Sequence, residues 1–394
     1  MSQWIAGITR GHNAGVCLLK DGEIVFAVEE ERLSREKYDG APLLSLMKVK
    51  EYTDTLDYLA VAHVEPMEGS TGELEFTQED TWTGFARKLG LITRPEVSTD
   101  NIERDPDAFG SHPKVIDYGR SHHKMHAAAA FYRSGFDEAV AVIVDGSGSC
   151  FNIGKKFFYE TESIFLCNYP AQFSKVYQHL GGSDSHVREI LPEFKNNYLD
   201  SEDTGQSFTI IDDCTGIAGA FLGATIHCVF GSLEAGKTMG LAPYGKPNPD
   251  IPPVFVDQVV GNYYPVNKNM FVPVFPPGCV AQSGKWDKED LAYAVQRDTQ
   301  EKMVQLIRDS VVSTGRKNVV LSGGYGLNCV ANYEYLRQLK DEGINLYVEP
   351  VSHDGGTAIG AALYQHYKTT GDTTIRDYSS AYLGPEYDYS DILS

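Results

Sequence analysis

The chain has no CxxC pair, and its seven cysteines, at 17, 150, 167, 214, 228, 279 and 329, are odd in number. That usage does not describe a disulfide framework. Several of the cysteines lie in apolar runs, so they read as reduced core residues of a cytoplasmic protein. Positive charge is also scarce: 34 Lys and Arg stand against 54 Asp and Glu, a formal net charge of −20. Such a balance opposes general electrostatic attachment to nucleic acid or to an anionic membrane, leaves room for a local basic groove, and attracts a metal ion or a Mg-nucleotide. No apolar stretch is long enough to span a bilayer, and the start, with Trp4 and Ile5, lacks the pattern of a secretory signal. Low-complexity segments and short-period repeats are missing as well. What remains is the composition of a folded protein, 42% apolar and 22% charged, and at 394 residues it calls for two lobes or two domains.

Two histidines carry the most information. His122 and His126 lie in Ser121-His122-His123-Lys124-Met125-His126, followed by Ala127 to Ala130, a segment that reads as a helix start. Residues four apart share a helix face, so both imidazoles can bind one metal ion. An apolar run from Ala139 to Val144 then ends at Asp145-Gly146-Ser147-Gly148. An acid at a strand end can supply a third ligand, and the glycines after it permit close approach of a phosphate. A histidine pair alone is more often a surface or capping feature. The pair together with a nearby strand-end acid is harder to dismiss.

Along the chain, Ile5–Thr9, Val16–Leu19 and Ile24–Glu29 read as three strands of a meander. Its first turn, Arg10 to Gly15, is polar, and its second carries an Asp-Gly signal. The charge run Glu29 to Lys37 is either a solvated helix or a charged rim over a cleft. Asp57–Ala62 is a further strand, residues 66–112 are an acidic surface insertion, and Val115–Tyr118 is a short strand before the histidine helix. A second strand, glycine turn and strand unit follows from Ala139 toward Phe165, about 135 residues after the first. That repetition is the plan of the actin-like ATPases, an α/β architecture of two ribonuclease-H-like lobes around a nucleotide and metal cleft. Residues 215–230 and 289–312 read as amphipathic helices of the second lobe. Two later loops fit: Val319 to Ser322 runs into Gly323-Gly324, and Val351 to Asp354 runs into Gly355-Gly356. Backbone N–H groups at such strand-to-helix turns can hold phosphate. One such turn is weak evidence; three in order are stronger.

With these residues in hand, the chain resembles the O-carbamoyltransferases of nodulation-factor and antibiotic biosynthesis (NodU, CmcH and TobZ type). The matching stretches are Gly7-Ile8 with His12-Asn13-Ala14, Glu30 to Arg35 with Lys37, His122-His123 with His126 to Ala128, Asp145-Gly146, Glu234 to Gly245, Leu321 to Gly324 with Leu327-Asn328, and Asp354 to Gly356. The resemblance implies that His122, His126, Asp145 and Asp354 are metal ligands, for iron, manganese or zinc. It implies that Asn13, Gly146, Lys237, Gly323, Gly324 and Asn328 line an ATP site that also takes Mg. His12 is then the candidate general base, against a simpler role in orienting its turn. Lys37 would stabilise an oxyanion, against simple pairing with Glu29 to Glu31. The implied donor is carbamoyl phosphate or carbamoyladenylate, and the implied acceptor bears a hydroxyl.

The expected division is lobe I at 1–118, the metal-binding helix with lobe II at 119–379, and a stub at 380–394. Members of the resembled family continue into a YrdC-like domain that makes carbamoyladenylate. Here the sequence stops where that linker would begin, so the second domain is absent, is a separate chain, or follows in a longer protein of which this is a fragment. Three functions stand open at this stage. The first is carbamoyl transfer to a small-molecule hydroxyl. The second is carbamoylation of a hydroxymethylated pyrimidine in phage-type DNA or nucleotide, against which the negative charge argues mildly. The third is an actin-like ATPase or nucleotide-binding module that transfers nothing.

Overall fold

A computed structural model describes residues 2–62, 81–92, 115–153, 156–182, 198–200, 208–212, 216–256, 265–267, 269–274, 278–281 and 286–384. Most of the acidic stretch 66–112, and the stub from 385 on, lie outside these residues. The chain forms two units. One comprises Met1–Asp137, Tyr169–Ala171 and His353–Ser394; the other comprises Glu138–Asn168 and Gln172–Ser352.

The first unit is built on β1 (Trp4–Thr9), β2 (Gly15–Lys20), β3 (Glu23–Glu29), β4 (Tyr58–Ala62) and β5 (Val115–Asp117), in the order β3-β2-β1-β4-β5. The three meander strands pair antiparallel, and β4 and β5 run parallel to β1. β1, β2 and β4 are buried almost throughout, because helices cover both faces of the sheet. Ile8, Val16, Leu18 and Phe26 pack with Leu46 and Val49 of the helix Leu43–Val49. The helices His122–Ser134 and Gly355–Thr370 pack against each other, and the second also lies on β1, β2 and β4.

Glycine permits this closeness. A side chain at Gly7 would overlap the Ala358 carbonyl oxygen, and one at Gly360 would overlap that of Met125. The charge run Glu29 to Lys37 is divided: Arg32 and Lys37 are exposed, while two of its acids are not. Glu30 and Glu31 are buried in the short helix Glu30–Ser34. Glu30 accepts the Leu44 and Ser45 N–H groups at 2.7 and 2.9 Å, so it caps the helix that follows.

The second unit repeats the plan. β6 (Glu138–Val144), β7 (Cys150–Ile153), β8 (Lys156–Asn168), β9 (Gln172–Gly181), β10 (Tyr198–Asp200) and β11 (Phe208–Asp212) are followed by a separate hairpin, β12 (Phe271–Val274) and β13 (Gly278–Ala281), and then by β14 (Asn318–Ser322) and β15 (Asn345–Val348). The central order β9-β8-β6-β14-β15 has the same strand senses as the first sheet: β6, β8 and β9 antiparallel, β14 and β15 parallel to β6. This is the doubled ribonuclease-H-like arrangement of the actin-like ATPase fold. The long helix Lys288–Thr314 and the helix Ile217–His227 supply much of its apolar core.

The division differs from the expected boundary at 118/119. The histidine helix and the helix Gly355–Thr370 belong with the first unit: the second lies on its sheet and the first packs against the second. A linear reading gives no sign that the chain returns to its first sheet after 353. No helix among the described residues is long and apolar enough to cross a membrane.

A buried ion pair holds one helix of the second unit. Glu162 on β8 accepts the Ile217 N–H at 2.6 Å and faces His179 Nδ1 at 2.7 Å, in space that a side chain at Gly216 would fill. Burial alone would lift the Glu162 carboxyl, but His179 and the Ile217 N–H bring it below its ordinary value. Burial would depress His179, and Glu162 raises it instead. The stability due to Glu162 is therefore complete above its ordinary 4.5 and lost on acidification. That due to His179 is complete below its ordinary 6.5 and lost as pH rises further. Glu162→Gln is expected to cost about 2 kcal/mol near the middle of that window. Denaturant midpoints followed against pH check this. A variant whose stability tracks that of the native protein at every pH would contradict it.

Candidate functional site

His122 and His126 stand one turn apart on the histidine helix, both fully buried, where the small side chains of Ala127 to Ala130 admit close neighbours. Their Nε2 atoms lie 3.2 Å apart. Asp354, at the start of the helix Gly355–Thr370, brings Oδ1 to 3.4 Å from His122 Nε2 and 3.5 Å from His126 Nε2. Three lone-pair atoms thus form a nearly equilateral triangle. Edges of this size are those of ligands at roughly 2.0–2.1 Å from a shared ion, since a tetrahedron with such arms has edges of about 3.4 Å. The residues therefore fit a metal ion, and two imidazoles with a carboxylate suit iron, manganese or zinc. Burial alone would raise the Asp354 carboxyl, but the His122 and His126 imidazoles hold it well below the usual carboxylate range.

His12, in the turn after β1, points Nε2 at Asp354 Oδ2 from 3.9 Å, with 44% of its side chain exposed. Asn13 beside it is half-buried. Four of the expected residues, His12, His122, His126 and Asp354, are thus brought together within the first unit. Lys37 is 66% exposed and lies 3.1 Å from both oxygens of Glu31, so the pairing seen is the simpler of the two roles expected for it.

In the second unit, Asp145 ends β6, buried, with its Oδ1 accepting the Gly324 N–H at 2.9 Å. Gly146 next to it has open space where a side chain would stand. Gly323 adopts φ +93°, and a side chain there would overlap the Val144 carbonyl oxygen. Its absence of a side chain is demanded by the backbone before any ligand is considered. The Asn328 amide is engaged at both ends: it exchanges two hydrogen bonds with Gln296, at 3.1 and 3.0 Å, and accepts the Ala331 N–H at the head of the helix Cys329–Leu339. Lys237 is exposed and paired with Glu234.

Sequence reasoning missed Gln296, which no motif marks, and the pair Glu29–His353. His353 Nε2 lies 2.9 Å from Glu29 Oε1, immediately beside Asp354 in the chain. The signal available was a histidine next to an expected ligand.

A family model described as "Carbamoyltransferase N-terminus" matches residues 112–363. The chain is 25% identical to the nodulation protein NolNO of Sinorhizobium fredii, over 95% of this chain and 49% of that protein. It is 24% identical to an uncharacterized protein of Synechocystis, over 97% of this chain and 60% of that one. The chain therefore spans about half to three-fifths of the length of these curated relatives. Among solved structures, the full-length HypF in a phosphate- and nucleotide-bound form aligns with a TM-score of 0.49 at 14% identity, over 94% of this chain and 56% of that one.

Proposed function

We propose, since the chain belongs to the carbamoyltransferase N-terminus family, that it moves a carbamoyl group to an acceptor hydroxyl at a metal ion held by His122, His126 and Asp354. In this reading Asp145 is the fourth ligand and adenine nucleotide is bound in the course of the reaction. The donor is carbamoyladenylate, or carbamoyl phosphate with ATP. The observation that carries the reading is the triangle of two buried imidazole nitrogens and one carboxylate oxygen. A bound ion there would act as a Lewis acid on a phosphate or carbamoyl oxygen.

The protein's own groups supply the rest. His12 accepts the acceptor's proton at Nε2 as the hydroxyl oxygen bonds to the carbamoyl carbon and the bond from that carbon to the phosphate oxygen breaks. The Asp354 oxygen facing His12 favours the imidazolium that results. Lys37, released from Glu31, stabilises the carbonyl oxygen as it gains charge. Backbone N–H groups at Gly146 and Gly323 face phosphate, while Gly324 holds Asp145 and Asn328 holds its loop through Gln296. Lys237 exchanges Glu234 for phosphate, and Asn13 shapes the His12 turn.

The purified chain is to be incubated with carbamoyladenylate, and separately with ATP and carbamoyl phosphate, over a panel of hydroxylated acceptors that includes sugars and hydroxymethylated pyrimidines. A YrdC-like protein added in trans forms a third arm. Mass spectrometry should find one carbamoyl group gained by an acceptor. ATP hydrolysis with no carbamoylated product in any arm would instead favour an actin-like ATPase. A narrower expectation concerns Gly146, whose added side chain would meet nothing. Gly146→Val should leave the melting temperature within a degree or two and weaken ATP binding by about tenfold or more, because the side chain occupies space kept for phosphate. Calorimetry showing native affinity would exclude Gly146 from the nucleotide site.

A further inference from the structure

An aspartate at the head of a helix ordinarily turns its carboxylate back onto the first free N–H groups of that helix. Asp354 does not. It precedes the 16-residue helix Gly355–Thr370, yet its side chain makes no capping hydrogen bond. Its oxygens face His122, His126 and His12 instead. The capping is done one residue earlier: His353 Nδ1 accepts the Gly355 N–H at 3.0 Å. With Nδ1 an acceptor, the ring proton sits on Nε2, and that nitrogen lies 2.9 Å from Glu29 Oε1 at the end of β3. Gly355 makes the arrangement possible, since a side chain there would crowd both the His353 ring and the Glu29 carboxylate.

We infer that Glu29 and His353 form a positioning pair that takes over the capping of this helix and so leaves the Asp354 carboxylate to the metal. Glu29 fixes the tautomer and tilt of His353, and His353 satisfies the N–H that Asp354 would otherwise take. His353 is not a ligand, because both of its ring nitrogens are already used. Without the pair, Asp354 rotates back onto the helix N-terminus and the proposed ligand set loses that carboxylate. The inference rests on the proposed metal site only for its consequence; the exchange of caps holds with or without an ion.

Two measurements test it. In the first, Co2+ is titrated into the metal-free full chain and into His353→Ala, Glu29→Ala and Glu29→Gln, with visible absorption recorded. His353→Ala and Glu29→Ala are expected to bind about ten- to a hundredfold more weakly, with an altered spectrum, as loss of outer-sphere partners does. Glu29→Gln, which retains an acceptor for the Nε2–H, should recover most of the affinity. The second is a thermal-stability cycle on metal-free protein with His353→Ala, Asp354→Ala and the double variant. The single His353→Ala change should lower the melting temperature little, because Asp354 replaces the cap. The double variant should then lose more than the sum of the singles. Native Co2+ affinity and spectrum in His353→Ala and Glu29→Ala would overturn the inference. Strictly additive melting shifts would overturn it equally. Should the native protein itself bind no Co2+, the proposed metal site is what fails, and the cycle still decides the exchange of caps.

Discussion

Purified His122→Ala and His126→Ala are expected to contain almost no metal, where the native protein is expected to hold about one ion per chain at the proposed site, while remaining folded. Each histidine supplies one corner of a triangle whose edges run from 3.2 to 3.5 Å. Either change leaves one imidazole with the carboxylates of the proposed ligand set, a weaker site that loses its ion to chelators during purification. Loss of an outer-sphere partner alone costs roughly 10–100-fold in affinity, so loss of a ligand must exceed that. The fold is expected to survive because each imidazole faces the other and Asp354, so removing one still leaves the Asp354 carboxylate a buried imidazole partner. Elemental analysis gives the metal content and circular dichroism the fold. Native metal content in both variants would remove these residues from the ligand set and, with them, the proposed Lewis-acid role.

Gly360→Val should have the largest effect on stability. The two helices that carry His122, His126 and Asp354 touch at Gly360, where any added side-chain carbon would overlap the Met125 carbonyl oxygen and crowd the Ala129 nitrogen. Those are backbone atoms one turn or less from His126, and a backbone in a packed helix cannot swing aside as a side chain does. Forcing extra volume into such a contact costs about 1–3 kcal/mol, occasionally more, and Val also introduces β-branching into a helix. The helices must part, so metal content should fall together with the denaturant midpoint. An unchanged midpoint would show that the helix contact tolerates volume. An altered midpoint with full metal content would show that the ligand triangle does not depend on this contact.

Much of the architecture was legible from the chain alone because it rests on local periodicity. The meander, the histidine helix, the apolar run ending at Asp145 and the long helix near 289–312 are each announced by alternation, by a spacing of four, or by turn residues, and these are properties of neighbours in sequence. The same holds for the candidacy of His122 and His126, since one helical turn is a local distance. What only the tertiary structure decided are relations between distant segments. It decided that the chain returns after His353 to cover its own first sheet. It decided that Glu30 is a buried cap rather than part of a charged rim, that Gly323 answers to the Val144 carbonyl, and that Asn328 is held by Gln296, 32 residues away. It also decided that His353, not Asp354, caps the last helix. No spacing rule carries these. They arise because a buried polar group must find a partner wherever the folded chain supplies one, and because close packing leaves a few backbone positions with no room for a side chain.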